Sequence, residues 1–167
     1  MTERALAELL YGKGAHANPL ACVDDLPLEL AGRRVEGFPH SIWQLVAHMN
    51  YWMDYEVRRI AGEGPKYPDH AAESWQTEAA PSNEQEWKNA VTRFKEMIGK
   101  LKSLAEASPE KLALEVAPTH PDHAKHASTR RDVLWQTLVH NSYHIGQIAM
   151  LRRMFGAWPP HGGGDTW

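Results

Sequence analysis

The sequence predicts an all-α protein, an up-down antiparallel four-helix bundle with long connections. Three observations carry that expectation. Apolar residues recur at steps of three and four over four long segments. Stretches rich in proline, glycine and polar residues separate those segments. No strand signal survives comparison with the helical pattern. The chain has 167 residues, which suits a single domain over positions 1–167 with a real core.

The first helix is expected over Thr2–Tyr11, where Leu6, Leu9 and Leu10 form an apolar stripe, with a short resumption around Pro19–Asp24 after Gly12-Lys13-Gly14. Leu26–Pro39 holds prolines and glycines and reads as a connection. The second helix is expected over Ser41–Ala61, with Ile42, Leu45, Val46, Met49, Trp52 and Met53 at helical spacing, and Gly62-Glu63-Gly64-Pro65 stops it. A polar, irregular loop containing a lone Trp75 then runs to Pro81. The third helix is expected from Ser82, with Gln85 completing a capping box, to about Ala107. Residues 110–128 read as mostly loop. The fourth helix is expected over Arg130–Phe155, with Thr129 as N-cap and Asp132 suiting the positive end of the helix dipole. Gly156 and Pro159-Pro160 end it.

Charge and composition narrow the function. The formal net charge is −3, with both signs mixed along the chain, so no basic stripe marks a nucleic-acid binder. No apolar run approaches the roughly 20 residues that span a bilayer. Met1-Thr2-Glu3-Arg4 opens a segment too polar for a signal peptide. Cys22 is the only cysteine, which excludes a disulfide framework or a thiolate cluster and makes a cytoplasmic home the expectation. It reads as a small buried hydrophobe rather than a nucleophile. No Ser-His-Asp triad, phosphate-binding loop or dinucleotide fingerprint is present.

The chemistry-bearing segment is His140-Asn141-Ser142-Tyr143-His144-Ile145-Gly146-Gln147. His140 and His144 stand four apart and leave one helix face a turn apart. They share the stripe of Val133, Thr137, Ile148 and Leu151, which must face the interior. On the second helix, His48 falls on the stripe of Ser41, Leu45 and Trp52 and also points inward. Neutral imidazole is a good ligand for zinc, nickel, copper or iron, and three such ligands leave a coordination position open. Inward histidines can equally be hydrogen-bonded core residues, and spacing alone leaves both readings standing.

With these residues in view, the chain resembles the DinB/YfiT-like superfamily of four-helix bundles. The likeness is carried by Ser41-Ile42-Trp43-Gln44-Leu45-Val46-Ala47-His48, by Leu138-Val139-His140-Asn141-Ser142-Tyr143-His144-Ile145-Gly146-Gln147-Ile148 with Leu151-Arg152-Arg153, and by Trp158-Pro159-Pro160 with the Gly-rich tail. It spans essentially the whole chain. The resemblance implies a bundle with a pocket at one end and a divalent metal, zinc or nickel first, held by His48, His140 and His144. It implies a homodimer acting on a small molecule. Some relatives transfer groups to or from low-molecular-weight thiols such as bacillithiol or mycothiol, and one branch isomerises maleylpyruvate. The resulting expectation is a metal-dependent enzyme, a thiol-dependent S-transferase or a hydrolase. The competitors are a non-catalytic metal or small-ligand binding module for stress response, and a structural homodimer with core histidines.

Other residues have two readings each. Gln147, one turn beyond His144, could orient a water or substrate, or cap a buried polar contact. Glu56, two turns beyond His48, could be a general base or could support the ligands from behind; a solvated glutamate near the helix end is the plainer expectation. His120, His123 and His126 could form a second metal site or a lid, or simply a solvated loop. Tyr143 is expected to pack or face a partner helix, Gly146 to permit close helix approach, and Arg152 and Arg153 to complement the negative end of the helix dipole.

Overall fold

Helix α4 (Ile42–Ile60) takes its shape from a cap and a buried stripe. Ser41 accepts from the Gln44 backbone at 3.2 Å, while the Gln44 side chain accepts from the Ser41 backbone at 3.1 Å. Ile42, Leu45, Val46, Met49, Met53 and Ile60 are buried along it. Gly62, at φ 83°, turns the chain away after its end. The computed structural model describes residues 3–121 and 127–164.

Three further long or packed helices complete a four-helix bundle: α1 (Glu3–Leu9), α5 (Glu84–Ala105) and α7 (Arg130–Met154). Short helices α2 (Ala21–Asp24), α3 (Leu28–Ala31) and α6 (Pro109–Leu112) lie in the connections. The core joins Leu45, Met49 and Met53 of α4 to Phe94, Met97 and Leu101 of α5 and to Leu134, Ile145 and Ile148 of α7. No described helix is long and apolar enough to cross a membrane.

The helix directions add something the periodicity could not carry. Trp43 meets Trp87, Asn50 bonds the Ala90 carbonyl and Asp54 pairs with Arg93, so α4 and α5 advance side by side in the same direction. The crossover of residues 61–83 returns the chain to the starting end and permits this. His48 meets His144 while Trp52 and Glu56 share a cavity with Gln136 and Thr137, so α4 and α7 run antiparallel. The bundle therefore departs from plain up-down order at the α4–α5 connection.

Two local expectations are corrected. Helix α5 is capped by Asn83, which accepts from the Glu86 backbone at 2.9 Å, and Ser82 bonds the Glu86 carboxylate rather than pairing with Gln85. Asparagine caps as well as serine, and from Asn83 the third helical residue is Glu86. Within the expected 110–128 loop, β1 (Glu115–Val116) pairs antiparallel with β2 (Ser128–Thr129). A ladder two residues long is too short to leave an alternating pattern in the sequence.

Candidate metal centre

The histidines are delivered by the two antiparallel helices. His48 and His144 are buried and His140 is half-buried. The Nε2 atom of His140 lies 3.1 Å from that of His48 and 3.2 Å from that of His144. All three residues offer a nitrogen within 4.8 Å of one another, and among the described residues no other histidine, cysteine or carboxylate group converges this way. Three imidazoles on one zinc, each at about 2.0–2.1 Å in a tetrahedral arrangement, would have nitrogens about 3.3 Å apart. The observed spacing fits that donor set without moving a helix.

Hydrogen bonds at the opposite ring nitrogens fix two of the tautomers. His48 Nδ1 donates to the Ser74 carbonyl at 3.2 Å, and His144 Nδ1 donates to Gln147 Oε1 at 2.7 Å. Both Nε2 atoms are thereby left with bare lone pairs aimed at His140. His140 Nε2 has at most one proton and can satisfy only one of them. The other lone pair is left about 3 Å from His140 Nε2 with no proton to accept unless a cation stands between them. Burial, with the neighbouring His144 ring adding, pushes His48 down to about 3 and His140 down to about 4. Burial lowers His144 as well. At neutral pH all three are uncharged, the state a metal requires.

The crossover supplies what the sequence reading missed. The 3₁₀ turn Ala71–Ser74 brings the Ser74 carbonyl to His48. The next residue, Trp75, lies flat on the His48 ring, centroids 3.7 Å apart at 7°, and stacks on His40 across its other face at 3.7 Å and 8°. Ser41 Oγ donates to the Ala79 carbonyl and Gln44 Nε2 to the Gln76 carbonyl, sewing this segment to the start of α4. The only sequence signal was a lone large aromatic in a polar loop.

The remaining candidates separate clearly. Gln147 contacts the His144 ring itself. Glu56 is 6% exposed and paired with the buried Arg59 at 3.3 Å, not solvated at a helix end. Tyr67 of the crossover, with Ala117 and Thr119, lies against that part of α4, which helical spacing could not foresee. Glu56, Trp52, Tyr67, Gln136, Thr137 and His140 line a cavity of about 260 Å³ beside the histidines. His120 packs on Tyr67 with centroids 4.7 Å apart, while His123 and His126 lie outside the described residues. Tyr143 is exposed apart from its contact with His144. A Cβ at Gly146 would meet nothing within 4 Å, so that glycine makes no close helix approach. Arg152 is buried and bonds Asp25 and the Cys22 carbonyl, a role beyond the helix dipole. Cys22 is fully buried, and burial pushes its thiol up to about 11.

No curated protein sequence matches the chain. Among solved structures, YfiT from Bacillus subtilis, described as a probable metal-dependent hydrolase with an unusual four-helix bundle topology, is similar at a TM-score of 0.61 and 17% identity. The match covers 92% of this chain and 85% of that one, and at that identity it speaks for the fold. The DinB superfamily model matches residues 13–148. Matched over most of its length, and carrying the three-histidine cluster between α4 and α7, the chain belongs to the DinB superfamily.

Proposed function

We propose that the protein is a metal-dependent enzyme acting on a small molecule, with His48, His140 and His144 holding one divalent cation, zinc or nickel first. The observation that carries this reading is the convergence of three uncharged Nε2 atoms within 3.1–3.2 Å steps, two of them locked as acceptors from behind. A divalent cation held by three such nitrogens supplies Lewis acidity that lowers the pKa of a water or thiol reaching it.

The chain's own groups do the positioning. The Ser74 carbonyl and Gln147 hold two imidazoles in one orientation, and the Trp75 ring closes the face of His48 to water. Access is from the other side, through the cavity that His140 lines. In this reading the nucleophile comes from solution, as water or a low-molecular-weight thiol; the Cys22 thiol is buried and held protonated. The description of YfiT supports hydrolysis, and the superfamily resemblance supports thiol transfer. A homodimer belongs to this reading too. The exposed Val139, Tyr143, Met150 and Met154 on the outer side of α7 support it.

Metal analysis of untagged protein beside His48→Ala and His144→Ala tests the site. About one equivalent in the parent and a large loss in both variants is expected, and equal content in all three would sink the proposal. Loaded protein is then assayed for ester and amide hydrolysis, and for conjugation of monochlorobimane with glutathione, bacillithiol or mycothiol. Turnover in one assay assigns the nucleophile, and full metal loading with no turnover in either would favour a binding module.

A further inference from the structure

The cavity beside His140 has walls of unequal character. Trp52 and Tyr67 form an aromatic side, with ring centroids 5.6 Å apart and planes tilted by 51°. Thr137 and Gln136 contribute polar groups from α7. The deep polar feature is Glu56. One carboxylate oxygen accepts from Arg59 Nη1 at 3.3 Å, and Arg59 Nε in turn donates to the Ala117 carbonyl at 3.3 Å. The second oxygen makes no hydrogen bond among the described residues, and the largely buried side chain, 8% exposed, lines the cavity. A carboxylate oxygen so placed can accept from a donor that enters the cavity. Burial raises its pKa against the pull of Arg59, in keeping with that incomplete satisfaction.

We propose that this cavity receives a neutral, ring-bearing substrate whose ring lies against Trp52 and Tyr67 and whose N–H or O–H group donates to Glu56. The site selects against charged substrates. Arg59 already neutralises Glu56, so the pair offers an ammonium group no net attraction, and an anion would face the unpaired carboxylate oxygen. Neutral donors are the class left. Glu56 follows His48 by eight residues, about 12 Å of helix rise, so one ring with its substituent spans much of the distance to the histidines. That the far end reacts there rests on the metal-centre reading above; recognition by Glu56 does not.

The probes are benzamide, a ring with an amide N–H, and methyl benzoate, which keeps the ring and carbonyl but has no donor. Both are titrated into the full chain, with and without zinc, by ligand-observed NMR. The parent protein should bind benzamide about tenfold more tightly. The double variant Glu56→Leu with Arg59→Met removes both charges together, so no guanidinium is left buried alone. Its ratio should fall to about one. Intermolecular nuclear Overhauser effects in the parent should connect the benzamide ring to Trp52 and Tyr67, a measurement that stands whether or not the variant folds. Equal affinities in the parent, a ratio kept in a folded double variant, contacts elsewhere, or no binding at all would overturn the proposal. A chain that takes up no zinc but keeps the ratio would retain this site and lose the metal centre instead.

Discussion

A single hydrogen bond decides which nitrogen of His144 faces its neighbours. Gln147 Oε1 accepts from Nδ1 at 2.7 Å, and the whole ring is oriented by it. Gln147→Ala should therefore weaken zinc binding by about 10–100-fold in competition with a chromophoric chelator, with little change in the thermal midpoint of the metal-free chain. Gln147→Glu keeps an acceptor and should restore the affinity. The inward direction of Gln147 was legible from its step of three beyond His144, but its partner was not, because two rotamers of a long side chain share one helix face. Glu56 was harder still: spacing put it on the right face, but only the folded connections, through Tyr67, Ala117 and Thr119, show that the face is covered there. Cys22 was readable as a buried hydrophobe, and the structure adds a pH signature. Burial holds the folded thiol at about 11, above its ordinary 9.0. The protonated thiol thus contributes stability that is complete below pH 9 and is lost as pH rises toward 11. The loss is about 2–3 kcal/mol. Denaturant midpoints measured from pH 8 to pH 11 should fall more steeply for the parent than for Cys22→Ala, and parallel curves would refute the assignment.

At the scale of elements, the ends of α7 and α4 were open to reading and the connections were not. Thr129 accepts from the Asp132 backbone at 3.3 Å and the Asp132 carboxylate accepts from the Thr129 backbone at 2.8 Å, a reciprocal pair visible in the sequence as two polar residues three apart before an apolar stripe. Thr129→Ala should cost about 0.5–2 kcal/mol in urea unfolding. Because His140 lies some three turns further along α7, zinc affinity should stay close to that of the parent. A cap works only within its own turn, which is why local sequence can announce it. The shared direction of α4 and α5 is a different kind of fact. Each helix carries the same stripe whichever way it runs, so periodicity is silent on it. The deciding contacts, Trp43 with Trp87 and Asn50 with Ala90, join residues forty or so apart. The crossover that permits this direction also brings Ser74 and Trp75 over His48. Thus the part of the topology hardest to read is also the part that completes the centre.

Over the whole molecule, one ion pair between buried Arg152 and half-buried Asp25 ties the end of the last helix to the first third of the chain. Arg152 Nη1 donates to Asp25 at 2.7 Å and to the Cys22 carbonyl at 2.9 Å, and its Nε donates to the Ala157 carbonyl at 2.9 Å. Asp25 also accepts from the His161 backbone at 2.6 Å. Four segments thus meet at one guanidinium: α2, the turn after it, the end of α7 and the C-terminal tail. The Arg152 side chain is 3% exposed, so solvent cannot replace a lost partner. Asp25→Ala should therefore destabilise by about 3–5 kcal/mol, since it leaves a buried charge unpaired. Arg152→Met with Asp25→Leu removes both charges and should recover most of that loss in a double-mutant cycle read by chemical denaturation. Burial raises the Asp25 pKa, but the bonds from Arg152 and His161 outweigh it and hold the carboxyl below its usual 3.8. The pair's contribution is accordingly present above pH 3.8 and is lost as pH falls through the lower folded value. The parent should lose stability over that acid range more steeply than the double variant. A double variant as unstable as Asp25→Ala would show that the junction needs its hydrogen bonds rather than its charge balance. The fold would then depend on this residue for geometry, as the orientation of the His144 ring depends on its bond to Gln147.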